Sequence, residues 1–190
     1  MNQHSEKGKL IVITGPSGVG KSCIVKEVRR QCEVAFSVSA TTRSPRAGEN
    51  DGEHYFFVDE AAFKQMVDDD EMLEWAEVFG NFYGTPAAPV LDAVASGQKV
   101  ILEIDVQGGI QVARKAPDAM FILIAPPSME ELKSRLAGRR SETPEQMDKR
   151  LGKAESELRL ARECGIYQHE IINDDLESAI QRVVVAINQE

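Results

Sequence analysis

LIVITGPSGVGKSCIVKEV, Leu10 to Val28, runs from a buried strand through a glycine-rich turn into a helix. Leu10, Ile11, Val12 and Ile13 form an unbroken apolar run, the pattern of a strand covered on both faces. Ile24, Val25 and Val28 then recur at helical spacing, which predicts a helix over roughly Lys21 to Gln31. Between the two, GPSGVGKS fits G-x-x-x-x-G-K-[ST], the phosphate-cradling P-loop formed here by Gly15, Pro16, Ser17, Gly18, Val19, Gly20, Lys21 and Ser22. Its glycines let backbone N–H groups turn inward around an anion, Lys21 can reach β- and γ-phosphates, and the Ser22 hydroxyl can ligate Mg2+. The alternative is a glycine turn between strand and helix with no ligand.

At 190 residues the chain has the size of one domain with room for a small insertion. Its 22 basic and 31 acidic residues give a net charge of -9, which argues against general affinity for nucleic acid or an anionic membrane surface. Any phosphate site must therefore be local, and Arg43, Arg46, Arg135, Arg139, Arg140 and Arg150 are the residues gathered to make one. Cys23, Cys32 and Cys164 are odd in number and lack metal-like spacing, so free thiols in a reducing cytoplasm are expected. No apolar run approaches membrane-spanning length and the first residues lack a signal-peptide pattern, so a soluble, unexported protein is expected.

Beyond the first helix, Ala35 to Ser39 alternates as a short strand, and Ala40 to His54 reads as a loop from its Gly, Pro and polar content. Tyr55 to Val58 is a strand candidate, followed by Asp59 as N-cap of a helix carrying Ala62, Phe63, Met66 and Val67. Met72 to Val78 and Phe79 to Tyr83 predict two strands around a Gly-Asn turn, with Trp75 as packing. Pro86 opens a helix to about Ser96 that Gly97 closes. Val100 to Ile104 forms a strand ending in Asp105, an arrangement like a Walker B carboxylate facing metal and phosphates. The competing reading is a turn or capping Asp ahead of Gly108 and Gly109.

Met120 to Ile124 is a further buried strand. Ser128 and Glu131 form a capping box on a helix from Met129 to Gly138. Thr143 caps, and Pro144 begins, a long charged helix to about Glu163. Glu170 to Asn173 is a last strand, and Leu176, Ile180, Val183, Val184 and Ile187 stripe a closing helix. Strands alternating with helices imply an α/β fold: a parallel sheet covered on both faces, with ligands beyond the carboxyl ends of the strands.

SVSATTRSPRAGENDGEHYFFV, EWAEVFGNFYGT, LEIDVQG, APPS, RLAGRRSETPEQMDKRL and INDDLE together resemble the guanylate kinase family over nearly the whole chain. The resemblance implies transfer of the γ-phosphoryl group of ATP to GMP, and to dGMP, with Mg2+. It also implies one domain with a core (about 1–38, 86–127 and 165–190), a GMP-binding region (about 39–85) and a lid (about 128–164). It assigns Arg43, Arg46, Tyr55 and Tyr83 to the GMP phosphate, and Glu74 to guanine with Ser39 and Thr85; Asp105 joins the substrate and metal sites, the latter with Ser22. Lys21, Arg46, Arg139 and Arg150 are the catalytic set it implies, with Arg135 and Arg139 on the ATP phosphates and Asn173 near adenine. Cys23 stands where the family often has Thr, and Thr85 where some members have Ser.

The residue chemistry agrees with that assignment. A phosphomonoester has a second pKa near 6, so at neutral pH it is a dianionic nucleophile that needs no general base. What it needs is charge neutralisation and in-line positioning, which the planar, permanently charged Arg fork supplies. Guanine presents N1–H and N2–H side by side, a donor pair that one carboxylate can accept and adenine lacks. Arg135 and Arg139, four apart, share a helix face and can converge on one polyphosphate; a solvated charged helix is the competing reading. Two other functions stay open: a ribose-bisphosphate phosphokinase of the same superfamily, and a catalytically silent scaffold domain. The sequence leaves the oligomeric state undetermined.

Overall fold

The structure is a computed structural model and describes residues 8–78, 80–137 and 144–189. In chain order its first part comprises β1 (Lys9–Thr14), α1 (Lys21–Gln31), β2 (Val34–Phe36), β3 (Ala40–Thr41), β4 (Phe56–Phe57), α2 (Glu60–Asp68), β5 (Met72–Val78) and β6 (Asn81–Pro86). There follow α3 (Ala87–Ala95), β7 (Lys99–Glu103), α4 (Val106–Lys115), β8 (Met120–Ala125), α5 (Met129–Ala137), α6 (Pro144–Glu163), β9 (His169–Ile172) and α7 (Leu176–Gln189).

A five-stranded sheet in the order β2-β7-β1-β8-β9 has β1 at its centre, and every pairing in it is parallel. Because side chains alternate across a strand, β1 feeds two cores. Ile11 and Ile13 pack with Ile24, Val28, Ile180 and Val183 of α1 and α7 on one face. Leu10 and Val12 pack with Val90, Val112 and Phe121 on the other, under α3 and α4. This explains why β1 is apolar without alternation, and each such side chain contributes roughly 1.5–3 kcal/mol through burial.

After β2 the chain leaves this sheet and builds a second, four-stranded one in the order β4-β3-β6-β5. It has its own small core around Ala40, Phe63 and Met72. Phe63 stacks on Phe82 with ring centroids 5.5 Å apart. Asp59 caps α2 as expected, its carboxylate accepting the Ala62 N–H at 2.7 Å. The chain returns at Pro86, which ends β6 and caps α3.

Several expectations are corrected. The strand expected over Ala35 to Ser39 is β2, which stops at Phe36; the Ser37 N–H still reaches Ile101 O, but Ser37 to Ser39 then bridge the two sheets. The loop expected from Ala40 begins with β3, and the strand at Tyr55 to Val58 shortens to Phe56–Phe57. Leu176, expected in the buried stripe of α7, is exposed. Trp75, expected as packing, is also exposed, touching Phe82 edge-on. Ser128 accepts the Glu131 N–H, but the Glu131 carboxylate binds Arg135, so the reciprocal half of the expected capping box gives way to an i,i+4 ion pair. Thr143 and Gly138 lie outside the described residues.

The largest addition is α4: after the strand ending in Asp105 the sequence suggests a Walker B-like carboxylate or, as the competing reading, a turn or capping Asp, but no helix, and the structure has α4 there with Asp105 as its N-cap. A Cβ on Gly108 would stand 2.9 Å from Glu74 Oε2, and one on Gly109 3.0 Å from Thr14 Cγ2. The glycines are thus what lets this helix lie against β1 and β5.

Candidate active site

The P-loop connects the carboxyl end of β1 to α1. Gly15, Gly18 and Gly20 have φ of 147°, 85° and 101°. At Gly15 there is no room for a side chain either, since a Cβ would lie 2.2 Å from Ile124 O. Gly20 is the N-cap of α1 and brings no capping side chain, so the first N–H groups of the helix face the loop's hollow. Asn173 braces the loop from behind: buried at the end of β9, it donates its amide to Val19 O at 2.7 Å.

Lys21 folds back over this hollow, its ammonium donating to Gly15 O and, at 3.2 Å, to Pro16 O. Burial pushes its pKa down, while Glu103, Glu157 and Asp105 push it back up. Ser22 Oγ donates to Glu103 Oε1 at 2.5 Å. The carboxylate that meets the Ser22 hydroxyl is therefore Glu103, the last residue of β7. Asp105 caps α4, with Oδ1 accepting the Gly108 N–H at 2.8 Å. The capping reading of Asp105 thus holds structurally, and its carboxylate still faces the same hollow.

Ser39, Tyr55, Glu74, Tyr83, Glu103 and Asp105 line one cavity of about 170 Å³ beyond the carboxyl ends of β1 and β7. At one side Glu74 is 8% exposed and accepts the Thr85 hydroxyl at 2.6 Å, Thr85 being its register partner across β5 and β6. Burial lifts the Glu74 carboxyl to about 7; the Thr85 hydrogen bond opposes the rise and Asp105 adds to it.

At the other side Arg43 forms a two-pronged pair with Glu49, both contacts at 2.9 Å, and Glu49 also accepts the Arg46 N–H at 2.7 Å. The Arg43 guanidinium lies 5.4 Å from the Tyr55 ring centroid, and the Tyr55 and Tyr83 rings meet edge-on at 6.1 Å. The hydrogen bond from Arg43 holds the Glu49 carboxyl at about 2, and the Glu49 hydrogen bond, with Tyr83 adding, holds Arg43 above its ordinary value. Burial raises the Tyr55 hydroxyl.

Beside the P-loop, α5 seats Leu132 and Leu136 against Gly18. The same helix carries Arg135, whose Nε donates to Glu131 at 3.0 Å. Arg150 lies half-buried on α6. Arg139 and Arg140 lie outside the described residues.

Sequence reasoning missed Glu49, Glu103 and Glu157. Glu49 carries no signal, being one acid in a polar loop. Glu103 does: it is the acid that interrupts an apolar strand, on the same strand side as Asp105. Glu157 also had one. Ala154, Glu157, Leu158 and Ala161 fall at helical stripe positions and all are buried, with Lys153 3.4 Å from the carboxylate. Burial raises the Glu157 carboxyl, against the pull of Lys153.

Known proteins share this architecture and this chain's sequence. The family profile described as guanylate kinase matches residues 7–190. A guanylate kinase of Trichodesmium erythraeum is 49% identical over 179 residues, covering 94% of this chain and 95% of the relative. The crystal structure of guanylate kinase from Anaplasma phagocytophilum superposes with a TM-score of 0.75 at 33% identity, covering 97% of this chain and 86% of that one. A shikimate kinase from Bacteroides thetaiotaomicron, with a TM-score of 0.53 at 16% identity over 96% of this chain and 99% of its own, shares the fold alone. With the family profile spanning residues 7–190 and a relative 49% identical over 94% of the chain, this chain belongs to the guanylate kinase family.

Proposed function

We propose that the chain transfers the γ-phosphoryl group of ATP to GMP, giving ADP and GDP, with the second sheet as acceptor site and α5 and α6 as lid over a P-loop core. The observation that carries the acceptor side is one cavity bounded by a buried carboxylate, Glu74, and by the aromatic Tyr55 and Tyr83 that flank Arg43. Glu74, helped by Thr85 and Ser39, accepts the N1–H and N2–H of guanine. Arg43 and Arg46, with Tyr55 and Tyr83, hold the acceptor phosphate. Since these contacts read base and phosphate, dGMP is accepted as well.

The acceptor phosphate is already a nucleophile, so these residues position and neutralise. Lys21 and the α1 N-terminus hold the donor's terminal phosphates, Arg135 supports them, and Arg139 and Arg150 neutralise the phosphoryl group in transit. The hydroxyl of Ser22 with the carboxylates of Glu103 and Asp105 offers hard oxygen donors that would hold Mg2+. When bound, the ion neutralises charge on the phosphates. The lid, closing over the donor, excludes water and limits wasteful hydrolysis.

A coupled assay of ADP release with GMP, AMP and ribose 1,5-bisphosphate as acceptors tests the proposal. GMP turnover well above the other two is expected; turnover of the ribose bisphosphate alone, or of none, overturns it. Within the same assay, Arg150→Ala is expected to lower kcat by on the order of a hundredfold with little change in GMP affinity. Unchanged kcat removes Arg150 from the transfer step.

A further inference from the structure

We infer that Gln111 of α4 is a positioning residue for the guanine-reading carboxylate Glu74, an inference that rests on the assignment of Glu74 above. β5, which carries Glu74, is the edge strand of its sheet, paired with β6 on one side. On its open side the Gln111 amide grips Trp75 at two points: Oε1 accepts the Trp75 N–H at 3.1 Å, and Nε2 donates to Trp75 O at 2.9 Å. A side-chain amide thereby takes the place that a neighbouring strand's peptide would fill. The Trp75 N–H belongs to the peptide plane that joins Glu74 to Trp75. Fixing that plane fixes the backbone torsion from which the Glu74 side chain departs.

The grip falls where β5 needs it. The register of β5 on β6 shifts between Met72 and Glu74, and such a bulge re-aims the side chains beside it. Leu73 there turns into the main core, and Glu74 faces the substrate cavity. Three positions on one face of α4 follow β5 along this irregular stretch. Gly108 has its missing side chain facing Glu74 Oε2; three residues on, Gln111 holds Trp75; four further, the Lys115 ammonium donates to Met72 O and to the Asp70 carboxylate, each at 2.5 Å. Asp105 caps this helix, so one element connects the Asp105 end of the cavity to its Glu74 end.

Steady-state kinetics on Gln111→Ala and on Gln111→Met, which keeps the volume without the amide, read this role. Both are expected to raise KM for GMP about tenfold, with kcat and KM for ATP within about twofold. Preference for GMP over inosine monophosphate, which lacks the N2 amine, is expected to fall in parallel. In the Glu74→Gln background the same changes are expected to add nothing further to KM for GMP, the non-additivity of groups that act through one another. Equal loss for both substrates, or full additivity, overturns the inference and leaves Gln111 as a brace of the strand edge. If Glu74→Gln alone leaves KM for GMP unchanged, the base-reading assignment fails instead. A sound Glu74 effect with an unaltered KM in both Gln111 variants overturns only the positioning role.

Discussion

Lys21→Met is expected to lower kcat by about a thousandfold while calorimetric affinity for GMP stays within a few-fold. The Lys21 side chain curls over the P-loop with its ammonium on the Gly15 and Pro16 carbonyls, and Glu103, Glu157 and Asp105 surround it. Burial pushes its pKa down, and the three carboxylates oppose that. The ammonium is thus held over the loop by its two carbonyl contacts, so it needs little reorganisation during transfer. Methionine keeps the stem and removes the charge. The residues proposed for the acceptor, Arg43, Arg46, Tyr55, Glu74 and Tyr83, do not include this side chain, so GMP binding is expected to be insulated from the change. Initial rates under saturating ATP and GMP check the first half and titration calorimetry the second; a kcat within tenfold of the parent would remove Lys21 from transition-state stabilisation.

Glu74→Gln is expected to raise KM for GMP by about a hundredfold, since the amide presents an N–H where guanine also presents one. The same substitution is expected to make the protein more stable at pH 8. The Glu74 carboxyl ionises near 4.5 when unfolded and at about 7 in the fold, chiefly because it is buried. The folded state therefore holds the proton more tightly. The group's contribution to stability is full below about pH 4.5 and is lost as pH rises through about 7. At pH 8 the parent carries a buried charge that glutamine lacks, whereas below about pH 4 the carboxyl is neutral both folded and unfolded. The gain in melting temperature of the variant should accordingly be largest at pH 8, shrink as pH falls through about 7, and vanish only below about pH 4, as scanning calorimetry can show.

Binding runs the other way, because guanine's two donors need the ionised form. KM for GMP in the parent should rise as pH falls through about 7, and Glu74→Gln should lose that inflection. It should keep the separate one near 6 that belongs to the phosphate of GMP. A flat KM profile in the parent would exclude a titrating Glu74 from base recognition.

How far the chain could be read from its residues followed physical lines. β1, the P-loop and α1 were legible because apolar run, glycine spacing and helical stripe are each local. Asp59 and Pro144 were legible for the same reason, as caps act on the next turn. α4 was not, because Gly108 and Gly109 weaken a helix locally and are justified only by contacts with Glu74 and Thr14, far away in sequence. The two-residue strand β3 is likewise too short for periodicity and exists through its neighbours, whereas β4 was visible as a strand at Tyr55 to Val58 and only its length was not. At the site, residue types in motifs were visible, but the partners that hold them were not. Glu49 beneath Arg43, Glu103 at Ser22 and Asn173 behind Val19 are set by the meeting of distant segments.

The second sheet is carried on a detour between the end of β2 at Phe36 and the start of α3 at Ala87. In chain-entropy terms such a detour is forgiving, since doubling the length of a closed loop costs only about 0.6 kcal/mol. The parallel strands can keep their register while the detour, with its own apolar centre at Phe63 and Met72, lengthens, shortens or is recast. Selection could therefore alter what receives the phosphoryl group without disturbing what donates it, provided that the face of α4 presented to β5 changes in step.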